Sequence, residues 1–156
     1  MHEYPDIARL KIELEGTAPR VWRRVHVSFF TKLGGLHRII QAVMGWDDGH
    51  PHRFILSGDI YDRVAPGEAL DAVLERNWRL DSSFYRDTSF VYAYGPNDRW
   101  LHRISLEEYL AGNPHWRYPR CVGGEGAWPP ETGEPFDVGR VSRRLWRRYR
   151  YRPRFP

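Results

Sequence analysis

The chain has 156 residues, 41% hydrophobic and 15% aromatic, with a formal net charge of +4; this fits one packed domain and excludes a disordered chain. No apolar run approaches the ~20 residues of a membrane-spanning helix, and the single cysteine, Cys121, excludes an internal disulfide or a multi-cysteine zinc site. Met1-His2-Glu3-Tyr4-Pro5 lacks the apolar stretch of a signal peptide, so a cytoplasmic protein with no membrane partner is expected.

In chain order, Ile7 to Leu14 alternates, with Ala8, Leu10, Ile12 and Leu14 opposite Arg9, Lys11 and Glu13, which predicts a half-buried strand. Glu15 to Pro19 reads as a turn, and Trp22 to Val27 as a second strand carrying Val25 and Val27. Leu33, Leu36, Ile39, Ile40, Val43 and Met44 recur at helical spacing, with Thr31 as N-cap and Gly45 at the C-terminal glycine position. Arg53 to Ser57 follows as a strand, and Pro66 to Arg76 as a short helix. Phe90, Tyr92 and Tyr94 alternate before the turn Gly95-Pro96-Asn97-Asp98. Trp100, His102, Ile104 and Leu106 then share one face of a partner strand, completing a hairpin.

Residues 111–138 are rich in Gly and Pro and read as a long irregular loop, of the kind that is functional or mobile. Eight arginines lie in the last 17 positions, leaving 16 basic against 20 acidic residues before Arg140. The basicity therefore belongs to the tail, whose alternation from Arg148 to Phe155 suits an edge strand or an extended arm. The expected fold class is α+β: a single domain with a mainly antiparallel sheet packed by one or two helices and a long Gly/Pro-rich loop. No internal repeat or linker divides the chain.

The order of these segments resembles one family, the plasmid pRiA4b ORF-3-like proteins, which includes an insertion-sequence passenger protein called TnpR. Pro19-Arg20-Val21-Trp22-Arg23-Arg24-Val25 is similar to the family's opening PxxWRR element. The likeness continues through Leu36-His37-Arg38-Ile39-Ile40-Gln41-Ala42-Val43-Met44-Gly45-Trp46 and His50-Pro51-His52-Arg53-Phe54. It extends over Tyr92-Ala93-Tyr94, Trp100-Leu101-His102-Arg103-Ile104 and Tyr118-Pro119-Arg120-Cys121-Val122-Gly123-Gly124-Glu125 to Pro129-Pro130-Glu131, residues 7 to about 131. Three positions depart from the pattern. The family's YDFGD turn is Gly95-Pro96-Asn97-Asp98 here, a second cysteine is Trp128, and PPED is Pro129-Pro130-Glu131-Thr132. Two acidic groups and a thiol are missing, so any shared acidic or metal-binding activity does not carry over automatically. The resemblance implies an α+β domain over residues 1–139, and no established reaction. Residues 140–156 form an Arg/aromatic arm, either part of the same domain or an extension.

Two patches concentrate histidines and carboxylates: residues 45–54 and 98–102. In His50-Pro51-His52 the residue before proline favours extended geometry, and residues two apart point to one side of an extended segment. Both imidazoles then converge on a divalent ion such as zinc, with His102 or Asp98 as third ligand and an open position for water; histidines hydrogen-bonded within a loop are the plainer reading. His102 is the expected catalytic acid or base, with Asp98 orienting it and Asp47 or Asp48 as substitutes. A satisfied core histidine is the alternative there.

Trp46, His50, His52, Trp100 and Glu131 are expected to line a small-molecule site. The aromatic set Trp22, Trp46, Phe54, Tyr92, Tyr94 and Trp100 is otherwise core. Cys121 reads as a small buried thiol, and Gly123-Gly124-Glu125-Gly126 lacks a phosphate-loop ending. The expected function is a small-molecule-binding pocket with acid–base or metal-assisted chemistry. The alternative is a nucleic-acid-binding accessory protein of a mobile element that uses Arg143, Arg147, Arg148, Arg150 and Arg152, interleaved with Trp146, Tyr149, Tyr151 and Phe155. Nothing in these residues specifies an oligomeric state.

Overall fold

A computed structural model describes residues 5–56, 70–84, 88–127 and 134–149. Strand β1 (Pro5–Leu14) buries Ala8, Leu10, Ile12 and Leu14 and turns Arg9, Lys11 and Glu13 to the other side. This is the period-two alternation of a strand with one face on the core. It pairs with β2 (Val21–Ser28), which buries Val21, Arg23, Val25 and Val27. β3 (His52–Ile55), β4 (Ser89–Tyr94), β5 (Trp100–Ala111) and β6 (Arg120–Glu125) complete a sheet of order β3-β4-β5-β1-β2-β6. Every pairing is antiparallel.

Helix α1 (Leu33–Met44) is buried almost all round, because apolar residues occupy both its sheet-facing side and the side met by the other helices. Its first amide, on Leu33, donates to Trp78 O at 2.9 Å, in the connection between α2 (Leu70–Asn77) and α3 (Leu80–Ser83). Its far end closes on Gly45 at φ +80°, whose amide donates to Gln41 O. Arginines satisfy the carbonyls that a helix leaves open at this end. Arg23 Nε donates to Val43 O at 3.0 Å and Arg144 Nε to Ala42 O at 2.8 Å, while Arg148 Nη1 donates to Trp46 O at 2.7 Å.

Arg144 and Arg148 come from α4 (Val138–Arg148), which lies against α1 and β6 and buries Val141, Ser142 and Leu145. Ser142 Oγ accepts from Cys121 N and donates to Cys121 O, so the edge strand β6 has backbone groups covered by a helix side chain. Cys121 is a buried free thiol that burial pushes up to about 11, which leaves it protonated and inert at neutral pH.

The α+β class with an antiparallel sheet is observed, with four α-helices among the described residues where one or two were expected. Three local expectations need correction. Lys32, not Thr31, stands at the α1 N-cap; the Thr31 hydroxyl donates to Ser28 O at 2.6 Å and is spent on the preceding turn. Residues 111–138 contain β6, because Arg120–Glu125 pairs with β2 across the glycines Gly123 and Gly124. The first part of the basic arm is the helix α4, capped by Asp137, whose side chain accepts from Arg140 N at 2.7 Å. Residues 66–69, 128–133 and 150–156 lie outside the described residues, including Glu131, Arg150 and Arg152.

Candidate functional site

His37 and Gln41 sit one turn apart on α1, so they share a face. That face meets Tyr92 of β4, a fully buried phenol. The Tyr92 hydroxyl accepts from Gln41 Nε2 at 2.8 Å and lies 2.7 Å from His37 Nδ1. Because His37 Nε2 faces the Asp48 carboxylate, which only accepts, Nδ1 of the neutral ring is unprotonated and accepts from the Tyr92 hydroxyl. His37 then carries its proton on Nε2 and donates to Asp48 Oδ1 at 3.1 Å. Gln41 Oε1 in turn accepts from Asp48 N at 2.8 Å, which holds the turn after α1 in place. Asp48 adopts φ +56°, the left-handed region that aspartate tolerates better than most residues.

His52 opens β3 and lays its ring on that of His37, with centroids 3.6 Å apart and planes 11° from parallel. Its Nε2 contacts Glu75 Oε1 of α2. Each imidazole of the stack therefore has its own carboxylate. Burial lowers the His37 pKa, the adjacent His52 lowers it further, and Asp48 opposes both. The cluster grades from interior to surface, with side-chain exposures of 9% for His37, 21% for His52, 26% for Glu75 and 58% for Asp48. Ligand-type atoms of His37, Asp48 and His52 all lie within 4.8 Å of one another, the one such group among the described residues.

The other expected residues fall elsewhere. His102 is fully buried on β5 opposite Tyr92. Its Nε2 accepts from Trp46 Nε1 at 3.0 Å and its Nδ1 donates to Tyr92 O at 3.1 Å, so neither ring nitrogen is free for substrate or metal. Burial pushes its pKa down to about 4. Asp98 does not meet His102 through a hydrogen bond. Both its oxygens accept from Arg53, and that guanidinium holds the carboxyl below the usual carboxylate range. His50 is exposed beside the rings of Tyr94 and Trp100, at 5.6 and 5.8 Å. The structure thus pairs His52 with His37, in place of the expected grouping of His52 with His50 and His102.

Trp46, Tyr94 and Trp100 pack on one another, Trp46 lying 4.9 Å from each of the other two rings. Trp100 closes over Gly95, whose φ is +98°. A β-carbon on Gly95 would lie 2.5 Å from the Trp100 ring. Gly95→Ala is expected to destabilise the protein by about 2 kcal/mol through strain and displacement of that ring. Thermal denaturation with near-ultraviolet circular dichroism checks this, and an unchanged melting temperature and aromatic signal would show that the hairpin adapts freely.

Trp22 lies on the opposite face of the sheet, its indole donating to Glu125 Oε2 at 3.0 Å. Arg143 and Arg147 are exposed on α4. Sequence reasoning missed His37, Gln41 and Glu75. For the first two a signal existed: polar residues four apart on one face of a helix whose other positions, Arg38 aside, are apolar or glycine. Glu75 carried none, because its helix meets His52 only through the tertiary fold.

Comparison with known proteins places these residues in a family frame. A family model described as plasmid pRiA4b ORF-3-like protein matches residues 6–142. The chain is 35% identical over 136 residues to "Uncharacterized protein y4hQ" of Sinorhizobium fredii (strain NBRC 101917 / NGR234), covering 85% of this chain. The match spans 66% of that relative, just under two thirds of its length. A crystal structure of a protein of unknown function, MM3350 from Methanosarcina mazei Go1, is similar with a TM-score of 0.64 and 27% identity. That likeness covers 78% of this chain and 70% of the other.

Proposed function

This chain belongs to the plasmid pRiA4b ORF-3-like family, and from that premise we propose that it binds a small molecule at the His37–His52 cluster and exchanges a proton with it. The observation that carries the reading is the stacked imidazole pair, each ring with its own carboxylate. Burial and the neighbouring ring keep His37 neutral near pH 7, and its Nε2–H, aimed at Asp48, is the proton the site can exchange. Tyr92, itself fixed by Gln41, orients the His37 ring toward Asp48, and Glu75 orients His52. Trp46, Trp100 and the exposed His50 pack together beside the turn that carries Asp48. In this reading His102 acts through Trp46, as a positioning residue.

The test is a screen of small polar molecules observed on the histidine side-chain resonances of carbon-13-labelled protein. A ligand is expected to shift the His37 and His52 signals and to bind about tenfold or more weakly to His52→Ala and Glu75→Gln. Ligands that leave those signals unmoved, or bind both variants as tightly, would falsify the proposal.

Nucleic-acid binding is the competing reading. Arg148 is tied to Trp46 O, so within the described residues that reading falls to the exposed Arg143 and Arg147. A salt-dependent affinity for single-stranded DNA, lost in the Arg143→Ala/Arg147→Ala double variant, would move the function there. We place the activity in the cytoplasm, in keeping with the free thiol of Cys121. No helix among the described residues is long and apolar enough to cross a membrane.

A further inference from the structure

We propose that His37, His52 and Asp48 form a binding site for one divalent transition-metal ion of the zinc class, with Glu75 completing the set. The proposal shares its location with the small-molecule reading and rests on that reading for nothing else.

The donor set comes first. Two imidazoles with one or two carboxylates match the preference of zinc-class ions, whereas magnesium and calcium favour oxygen alone. Spacing comes second. Two ligand atoms each ~2.1 Å from one ion stand roughly 3.0–3.4 Å apart, for octahedral to tetrahedral angles. His37 Nε2 and Asp48 Oδ1 are 3.1 Å apart, and the His52 ligand atom lies within 4.8 Å of both.

Support from behind is the third observation. A metal-binding histidine ordinarily has its second nitrogen held by an outer partner. For His37 that partner is the buried Tyr92 hydroxyl at 2.7 Å, itself fixed by Gln41. Asp48 is anchored through its own amide to the same Gln41. The ligands therefore hang on α1, the turn after it and β3, and one glutamine ties two of them together. Access is the fourth. Asp48 is more exposed than buried, and His52 and Glu75 are partly exposed, which leaves an entry path and room for water beside the ion.

The stacked rings define what binding must change. Parallel imidazoles do not point both lone pairs at one ion, so His52 turns out of the stack and loosens its contact with Glu75. That carboxylate is then free to face the ion. The His37 proton leaves Nε2 for Nδ1, and the Tyr92 hydroxyl turns its own hydrogen away and accepts that proton on its second lone pair.

The test uses the full chain, purified without an affinity tag, stripped with chelator, and titrated with Zn²⁺ alone against a chromophoric competitor. One ion per chain is expected. Asp48→Asn, an exposed and nearly isosteric change, and His52→Ala are each expected to weaken binding tenfold or more. His115→Ala, an exposed histidine on the β5–β6 connection, should leave the affinity unchanged. Co²⁺ in place of Zn²⁺ should give visible absorption bands that change in Asp48→Asn, a signal that a merely structural role for Asp48 would not produce. Binding well below one ion per chain, equal affinity in both ligand variants, or equal loss in His115→Ala would overturn the site. If Zn²⁺ fails while small molecules still shift the His37 and His52 resonances, the metal proposal falls alone. If Zn²⁺ binds and no small molecule does, the metal site stands without the acid–base reading.

Discussion

Replacing Arg23 by methionine is expected to lower stability by about 3–5 kcal/mol, because three carbonyls lose a buried donor at once. Arg23 is 2% exposed, although it sits in a strand where an inward-facing residue is normally apolar. Its Nε donates to Val43 O at the end of α1, and its Nη1 donates to Trp22 O and Glu125 O, each at 2.9 Å. The guanidinium also lies 4.6 Å over the Phe136 ring. Burial pulls its pKa down to about 10, which still leaves it charged at neutral pH. One side chain thus joins helix α1, strand β2 and the edge strand β6. Methionine keeps much of the apolar stem, so the loss reports hydrogen bonds and charge more than a cavity. Arg23→Lys retains the charge without the planar fork and should fall between the two. Urea denaturation measures the series; a methionine variant within about 1 kcal/mol of the parent would mean that water replaces the guanidinium at little cost.

Acidification is expected to remove on the order of 3 kcal/mol of stability between about pH 6.5 and pH 4, through His102 alone. The sign follows from its depressed folded-state pKa, which burial takes from 6.5 to about 4. The contribution is complete above the unfolded value near 6.5. As pH falls, the unfolded chain takes up the proton first, and stability drains until the folded pKa is passed. A proton on Nε2 would also break the bond from the Trp46 indole, because that nitrogen would no longer accept. His37, lowered by burial in the same direction, adds to the effect. His102→Gln keeps a donor and an acceptor and does not titrate. Its denaturation midpoint should therefore fall less steeply over this range than that of the parent protein. Identical slopes would assign the acid sensitivity to other groups. At neutral pH His102 is a neutral acceptor that holds Trp46, so the proposed proton exchange falls to the more accessible pair.

Strands β1, β2, β4 and β5 and helix α1 follow from local pattern. Apolar residues two apart in Leu10, Ile12 and Leu14, or three and four apart in Leu36, Ile39, Ile40 and Val43, leave one geometry that buries them together. β6 was hidden because Gly123 and Gly124 carry no side chain to mark a face, and its pairing with β2 exists only in the folded sheet. Helix α4 was obscured by its arginines. Val138, Val141, Leu145 and Tyr149 recur at helical spacing after the Asp137 cap, but the alternation of Arg and Tyr from Arg148 onward suits an extended arm equally well.

For the site, the sequence by itself determined that histidines and carboxylates concentrate after α1 and that an extended segment carries His52 up to a strand beginning at Arg53. It also sufficed for the family, since the ordered segments carry the same resemblance that the family model matches over residues 6–142. Only the tertiary structure decided which histidines meet. His37 reaches Tyr92 across 55 positions, Trp46 reaches His102 across 56, and Glu75 reaches His52 from another helix. Local periodicity sets which face of an element is buried, because that depends on neighbours one turn or one pleat away. It says nothing about which distant polar group stands opposite, because that depends on how whole elements pack. The packing of α1 on β4 therefore gave His37 a hydroxyl, Asp48 and His52 as neighbours, and the pairing of β4 with β5 sealed His102 in the core.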